Sequence, residues 1–164
     1  MGMTISEKIL ARASGRTSCS PGEIVEAKVD VVMLHDVGTT GIQDPLRQLG
    51  VEKIPDSVEV VIIPDHFAPA ATIKAAENLK LTRKFAKKHG IKSYYELGRG
   101  GICHQVMAEK GHVKPGQVIV GPDSHTTMYG AFGDFAVGLA LPTRPLPSVS
   151  EGSGSRCPIR SRSS

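Results

Sequence analysis

The sequence predicts an α/β fold in which a mainly parallel sheet is layered with helices. Apolar runs rich in Val and Ile alternate with helical patterns along the chain, and a β-α-β-α order is typical of layered α/β domains. The runs are also continuous: residues 31–34, for example, read Val-Val-Met-Leu. Such a run suits a strand that is covered on both faces, as strands of parallel sheets are.

The predicted elements follow one another along the first 139 residues. A short amphipathic helix covers Ile5–Ala13, with Thr4 or Ser6 as its cap. The most regular helical pattern covers residues 70–89, and Gly90 ends it. The other predicted elements are a strand within residues 24–34, a short helix over 42–49, strands at 58–63, 91–97 and 118–120, and a helix or loop over 129–139.

Residues 140–164 differ from the rest of the chain in composition. Of these 25 residues, seven are Ser, four are Pro and four are Arg, with no hydrophobic period. This composition predicts a disordered tail. The tail carries a charge of +3 of the chain's formal +4, so residues 1–139 are close to neutral.

The composition excludes several classes of protein. A near-neutral body with seven aromatic residues and no Trp does not favour nucleic-acid binding. No apolar run approaches the roughly 20 residues of a membrane-spanning helix, and the first residues lack a secretion-signal pattern, so we expect no membrane association and a cytoplasmic location. The three cysteines, Cys19, Cys103 and Cys157, are too few and too widely spaced for a disulfide framework or, by themselves, a complete metal site. We expect Cys103 to be a buried thiol and Cys19 an exposed one.

Histidines and aspartates follow three of the predicted strands. These clusters are His35-Asp36, Asp65-His66 and Asp123-Ser124-His125, and a further candidate is His104. Ligands of open α/β sheets bind beyond the carboxyl ends of the strands. A carboxylate beside an imidazole fixes its tautomer and raises its pKa, which suits a general acid near neutral pH.

Each cluster alone also fits a loop or capping role. On a strand, moreover, the neighbouring side chains of Asp65 and His66 would point to opposite sides. His89 and His112 are predicted to be surface residues. The chain lacks the P-loop, dinucleotide, GxSxG, HExxH and CxxC patterns, which leaves a direct metal site built from the His and Asp clusters as a less favoured alternative.

Taken together, these motifs resemble the aconitase superfamily. Gly-Pro-Asp-Ser-His-Thr at 121–126, Ile-Pro-Asp-His at 63–66, Gly-Ile-Cys-His-Gln at 101–105 and His-Asp at 35–36 stand in that family's order and spacing. Residues 3–10 resemble the opening of large subunits of its two-subunit dehydratases, which act on isopropylmalate, homocitrate or dimethylmalate. The resemblance covers residues 1–139 and implies an aconitase-like domain there.

The resemblance implies a hydro-lyase that moves or removes water in a small hydroxy di- or tricarboxylate, with a [4Fe-4S] cluster as Lewis acid. Asp65 and His66 would belong to the acid that protonates the departing hydroxyl. Asp123 and His125 would form a second pair near that oxygen.

The remaining roles also come from the resemblance. His104 would be a further catalytic histidine, and His35 and Ser124 would contact the substrate. A separate small subunit would supply a serine base and an arginine for the substrate carboxylate. The isopropylmalate branch of the family would place the reaction in leucine biosynthesis.

One departure limits what the resemblance implies for this chain. The family holds its cluster with three cysteines, including a Cys-x-x-Cys far downstream, and no Cys-x-x-Cys is present here. We therefore expect an N-terminal segment of a large subunit that alone binds no cluster and has no activity. The competing hypothesis is a small dicarboxylate-binding module without catalysis.

The resemblance ends after Leu139, where the composition changes. Regrouping the possible codons of the tail by one base permits residues that the family carries at this point, including a Trp and a Pro. We therefore expect residues 140–164 to be a frameshift product that packs against nothing.

Overall fold

The computed structural model describes residues 2–139 and the backbone of residues 156–160. The helices are α1 (Ile5–Ala13), α2 (Asp36–Gln48), α3 (Ile73–His89) and α4 (Cys103–Glu109), with a 3-10 helix at Ser124–Phe132. The strands are β1 (Ile24–Lys28), β2 (Val31–Leu34), β3 (Glu59–Ile62), β4 (Ser93–Tyr94), β5 (Val118–Gly121), β6 (Phe135–Gly138) and β7 (Arg156–Arg160). Within the described residues, no helix combines the length and the apolar character needed to cross a membrane.

Five parallel strands form the central sheet, in the order β4-β3-β2-β5-β6. Strand β2 lies in the middle, and its Val31 is paired with Glu59 of β3 on one side and Ile119 of β5 on the other. The prediction of a mainly parallel sheet with helices is confirmed. Because the strands are parallel, their carboxyl ends lie along one edge.

Both faces of the sheet are covered, as the apolar runs predict. On one face, Met33 and Val61 pack with Met107 of α4 and with Tyr129. On the other face, strand residues pack against α3, including Phe85, and against α1. Burial on both faces explains why the strands read as runs and not as alternating patterns.

Residues 24–34 form two strands where the sequence predicted one. The interruption lies at Asp30, whose N–H donates to the carbonyl of Val118 (2.9 Å) and whose carboxylate accepts the Val118 N–H (2.9 Å). These bonds connect the start of β2 to β5. Strand β1 lies outside the five-stranded sheet, and its residues Val25 and Ala27 pack with those of α1.

Three further elements differ from the predicted ones. Helix α2 begins at Asp36 and not near residue 42, because the ring of His35 accepts the N–H of Gly38 and caps it. Helix α4 was not predicted, and it carries His104. The Gly- and Ala-rich residues 129–139 divide between the end of the 3-10 helix and strand β6.

The predicted disordered tail lies outside the described residues except at Arg156–Arg160. There the backbone forms β7, antiparallel to β1, with Ile24 paired to Arg160. At these five residues the structure therefore differs from the predicted disorder and from a tail that packs against nothing. The physical reason is that β1 has no other sheet partner in the described part of the chain, so its backbone N–H and C=O groups are open to an added strand.

Two residues predicted to be exposed are buried. Cys19 is 4% exposed, and its thiol donates to the carbonyl of Glu7 (3.1 Å). His89 is 5% exposed and packs on Phe85, with ring centroids 4.4 Å apart. A third residue that was predicted to be exposed, His112, is half-buried.

Asp134, at the amino end of β6, is a buried carboxylate whose oxygens have no well-formed hydrogen bond. Burial raises its pKa to about 6; nearby Asp30 adds to this rise, and the N–H of Gln117 only partly offsets it. A carboxyl whose pKa is higher in the folded chain costs stability once it is ionised. The free energy of unfolding should therefore fall as pH rises from about 4 to about 6, and the cost stays at higher pH.

We expect Asp134→Asn to raise the melting temperature at pH 8 by about 2–4 °C, roughly 1 kcal/mol for a chain of this size. The gain should shrink at pH 4.5, where the wild-type carboxyl is protonated. The matched control is Asp56→Asn, since the Asp56 side chain is 91% exposed. An equal gain at both pH values would contradict the assigned ionisation.

Candidate active site

The three predicted His and Asp clusters meet at the carboxyl edge of the sheet. His35 and Asp36 directly follow β2, and Asp65 and His66 follow β3 after two intervening residues. Asp123 lies two residues beyond β5. Because β2 lies between β3 and β5, the three loops are neighbours.

Close packing brings the loop after β2 and the loop after β5 together. A Cβ atom on Gly38, in the first turn of α2, would overlap the side chain of Pro122. Glycine at position 38 therefore allows the helix that begins after β2 to approach the loop after β5.

Asp36 fixes the loop that carries His66. Its side chain is completely buried, and its two oxygens accept the backbone N–H groups of His66 (3.2 Å) and Phe67 (2.7 Å). The rings of His35 and His66 then stack, with centroids 3.9 Å apart and planes 16° from parallel. A structural carboxylate at the start of α2 thus sets the position of a histidine after β3.

His35 is held neutral by its surroundings. Its Nδ1 accepts the N–H of Gly38 (3.1 Å), so this nitrogen carries no proton and Nε2 carries one. Burial lowers the pKa of His35, and neighbouring His66 lowers it further. At neutral pH, His35 is thus a donor through Nε2 and not a cation.

Asp65 and His66 form an imidazole–carboxylate pair. His66 Nδ1 lies 2.5 Å from one Asp65 oxygen, and the other oxygen accepts the N–H of Cys103 (2.7 Å). Burial alone would raise the pKa of Asp65, but the bonds from Cys103 and His66 hold it below its usual value. The two side chains meet because β3 ends at Ile62, so the alternation of a strand does not apply to them.

Asp123 binds two histidines. One of its oxygens lies 3.3 Å from His104 Nε2 and 3.0 Å from His125 Nδ1, and also accepts the backbone N–H of His125 (2.5 Å). Burial opposes ionisation, yet the bonds from His125 and the nearby His104 lower the pKa of Asp123. The side chain of His125 is 78% exposed, whereas that of His104 is 14% exposed.

The start of α4 links these two pairs. Asp65 accepts the N–H of Cys103, and the next residue, His104, reaches Asp123. The prediction of a buried Cys103 is confirmed, since it is 1% exposed. Burial and Asp65 raise the pKa of this thiol well above its usual range, so it remains protonated.

Ser124 and Tyr129 complete the residues around Asp123. Ser124 is exposed at the start of the 3-10 helix, and its carbonyl accepts the hydroxyl of Thr127 (3.2 Å). Tyr129 is completely buried, and its hydroxyl lies 2.8 Å from His104 Nδ1. The sequence did not identify Tyr129 or the structural role of Asp36. Both roles depend on contacts with residues far along the chain, since Tyr129 bonds to His104 and Asp36 bonds to the backbone of His66.

The described cysteines do not fit the ligand set of an iron–sulfur cluster. Cys103 packs in the hydrophobic cluster between the sheet and α4, while Cys19 packs in a different one between α1 and β1. Cluster ligands are thiolates that converge on one point, and neither condition holds for this pair. A cluster in the full protein would take its ligands from elsewhere.

Two groups of side chains come close enough to hold a metal ion: His35 with Asp36 and His66, and His104 with Asp123 and His125. In the first group, the lone pair of His35 Nδ1 already accepts the Gly38 N–H. A histidine ligates through a nitrogen lone pair, so this group is a poor metal site in the observed arrangement.

Fold and site together define a class: an α/β domain with imidazole–carboxylate pairs at one edge of a parallel sheet. A family model described as "Aconitase family (aconitate hydratase)" matches residues 7–141, and the chain belongs to this family.

Curated relatives of this chain support the same family assignment. The 3-isopropylmalate dehydratase large subunit of Thermodesulfovibrio yellowstonii is 48% identical over 139 residues, which cover 85% of this chain and 33% of the relative. That of Aquifex aeolicus is 46% identical, with 85% and 32% covered. The chain thus spans about a third of the length of the curated relatives it matches.

We expect Asp36→Ala to lower the free energy of unfolding by about 3 kcal/mol, because it leaves two backbone N–H groups without their charged acceptor. Urea denaturation measures this value. The control is Asp44→Ala, which removes an exposed pair with Arg47 and should cost less than about 1 kcal/mol. Similar losses in the two variants would contradict the role of Asp36.

Proposed function

We propose that this chain is the N-terminal segment of a hydro-lyase large subunit, of the 3-isopropylmalate dehydratase type, which acts in leucine biosynthesis in the cytoplasm. The observation that carries the proposal is the convergence of Asp65–His66 and Asp123–His125 at one sheet edge. Family membership and the names of the relatives support it.

In this proposal, the reaction removes a hydroxyl from one carbon and a proton from its neighbour, and the reverse adds water. The base that takes the proton from the neighbouring carbon is the serine that the proposed small subunit would supply. His66 donates a proton to the departing hydroxyl, which leaves as water, and Asp65 stabilises the histidine as it gains and loses that proton. His125 and Asp123 act beside the same oxygen. His35, as an Nε2–H donor, and Ser124 contact the substrate. His104 is a further residue of the proposed active site.

The proposal includes a partner, the small subunit, which the "large subunit" names of the relatives imply for them. Large apolar side chains lie exposed on residues that adjoin the site in sequence: Phe67 (43%), Ile102 (70%) and Met128 (42%). Exposed apolar side chains gain free energy when further protein removes them from water. The small subunit and the rest of the large subunit are the proposed cover.

We also propose that residues 1–139 form the aconitase-like segment and that residues 140–164 lie outside it. The family match ends at residue 141, and the relatives align over 139 residues. Sequencing the gene tests the proposed frameshift: a dehydratase-like reading in the shifted frame after codon 139 is expected, and its absence would refute it.

A chimera tests the function. Residues 1–139 replace the matching region of the Thermodesulfovibrio yellowstonii large subunit, which is produced with its small subunit and reconstituted with iron and sulfide. We expect dehydration of isopropylmalate. Preference for homocitrate or dimethylmalate would instead assign the chain to those branches of the family, and binding without turnover of any of the three would favour a dicarboxylate-binding module.

In this chimera, His66→Ala and His125→Ala should lower kcat by about 10²–10⁴-fold, the usual loss of a general acid or base, with smaller effects on KM. Lys80→Ala, an exposed residue on the outer side of α3, is the control. His89 is unsuitable as a control because it is buried. If His66→Ala and Lys80→Ala had equal kcat values, His66 would not be the acid.

A further inference from the structure

The buried hydroxyl of Tyr129 has one hydrogen-bond partner among the described residues, Nδ1 of His104 at 2.8 Å. Burial raises the pKa of Tyr129 well above its usual range, so the phenol keeps its proton. A buried hydroxyl needs an acceptor. The O–H of Tyr129 must therefore donate to His104, and Nδ1 must be the unprotonated nitrogen.

This bond also determines the protonation of the other ring nitrogen of His104, Nε2. A neutral imidazole with an unprotonated Nδ1 carries its proton on Nε2. His104 Nε2 faces the carboxylate of Asp123 at 3.3 Å, and a carboxylate accepts a proton donor there. Both nitrogens of His104 are then engaged, one as acceptor and one as donor.

His125 and His66 differ from His104 in this respect. Each donates Nδ1–H to an aspartate, at 3.0 Å in His125 and 2.5 Å in His66. In the described residues, no hydrogen bond involves Nε2 of either ring. These two histidines can accept or release a proton at Nε2, while His104 can do so only by breaking a bond.

We propose that Tyr129 is a positioning residue that locks His104 as a neutral Nε2–H donor to Asp123, which removes His104 from proton transfer and leaves His125 Nε2 as the proton-carrying nitrogen of this group. The locked state of His104 is a property of the chain alone. Only the use of His125 as the proton carrier rests on the proposed function.

The chain offers a matched pair of variants. Tyr129→Phe removes the hydroxyl from His104, and Tyr95→Phe removes an equivalent hydroxyl, 2.6 Å from His112 Nε2, outside the site. In the ¹⁵N spectrum of the 164-residue chain at pH 7.5, His104 should show an unprotonated, hydrogen-bonded Nδ1 and a protonated Nε2. Tyr129→Phe should move the Nδ1 signal toward the value of a free acceptor, and Tyr95→Phe should leave it in place.

A second measurement needs only dilute protein. Diethyl pyrocarbonate modifies unprotonated imidazole nitrogens, and mass spectrometry of peptides reads each histidine. We expect rapid modification of His125 and slow modification of His104. Tyr129→Phe should speed the His104 reaction by about fivefold, the equilibrium factor of one neutral hydrogen bond, while Tyr95→Phe leaves it unchanged.

A proton on His104 Nδ1 in the wild type, or equal His104 labelling in the wild type and Tyr129→Phe, would overturn the proposal. A misfolded Tyr129→Phe variant would change the labelling of His112 as well, and the wild-type tautomer then decides. An inactive chimera with a locked His104 would count against the proposed function alone. An active chimera in which His104 is not locked would count against this inference alone.

Discussion

The parallel pairing of β3, β2 and β5 is the constraint on which the site depends. Each strand contributes a loop at its carboxyl end, and the parallel arrangement alone places three loops from distant parts of the sequence side by side. Hydrogen bonds then connect the loops: Asp36 holds the backbone after β3, and Asp65 holds the start of α4. The carboxylates of Asp36 and Asp65 therefore hold the backbone of neighbouring segments in place, and the carboxylate of Asp65 also orients the ring of His66.

The sequence predicted the parts of this arrangement that follow from local pattern. Buried strands appear as β-branched runs, and His and Asp at their ends are visible without any knowledge of packing. What it missed depends on side-chain contacts that the apolar pattern does not show. Asp30 ends β1 because it binds Val118, 88 residues away. Helix α2 begins early because the ring of His35 caps it through the nearby N–H of Gly38.

Burial of single polar residues was also beyond sequence reasoning. His89 lies at a helix end rich in Lys, which predicts exposure, but its ring packs on Phe85 one turn earlier. Cys19 lies between polar residues, yet its side chain packs with α1. In both cases the neighbours in sequence are exposed, and the residue itself is covered by a surface that the local pattern does not show.

The histidines of this site take three hydrogen-bonding states, because their partners differ. The backbone N–H of Gly38 makes His35 a neutral donor, a phenol and a carboxylate engage both nitrogens of His104, and a carboxylate at Nδ1 leaves the Nε2 of His66 and His125 available. The spacing of histidines in the sequence therefore indicates a site, while the second partner of each ring decides its role.

The carboxylates of Asp65 and Asp123 determine the charge that a substrate would meet at the site. Asp65 and Asp123 both have lowered pKa values and are anionic at neutral pH. In residues 2–139, the ion pairs of these two carboxylates are with histidines and not with Lys or Arg. A substrate with two or three carboxylates would meet like charge here, which costs binding energy unless cations offset it. In the proposed activity, positive charge from outside these residues would offset this repulsion. An arginine of the proposed partner subunit, placed against the carboxyl edge of the sheet, would supply it.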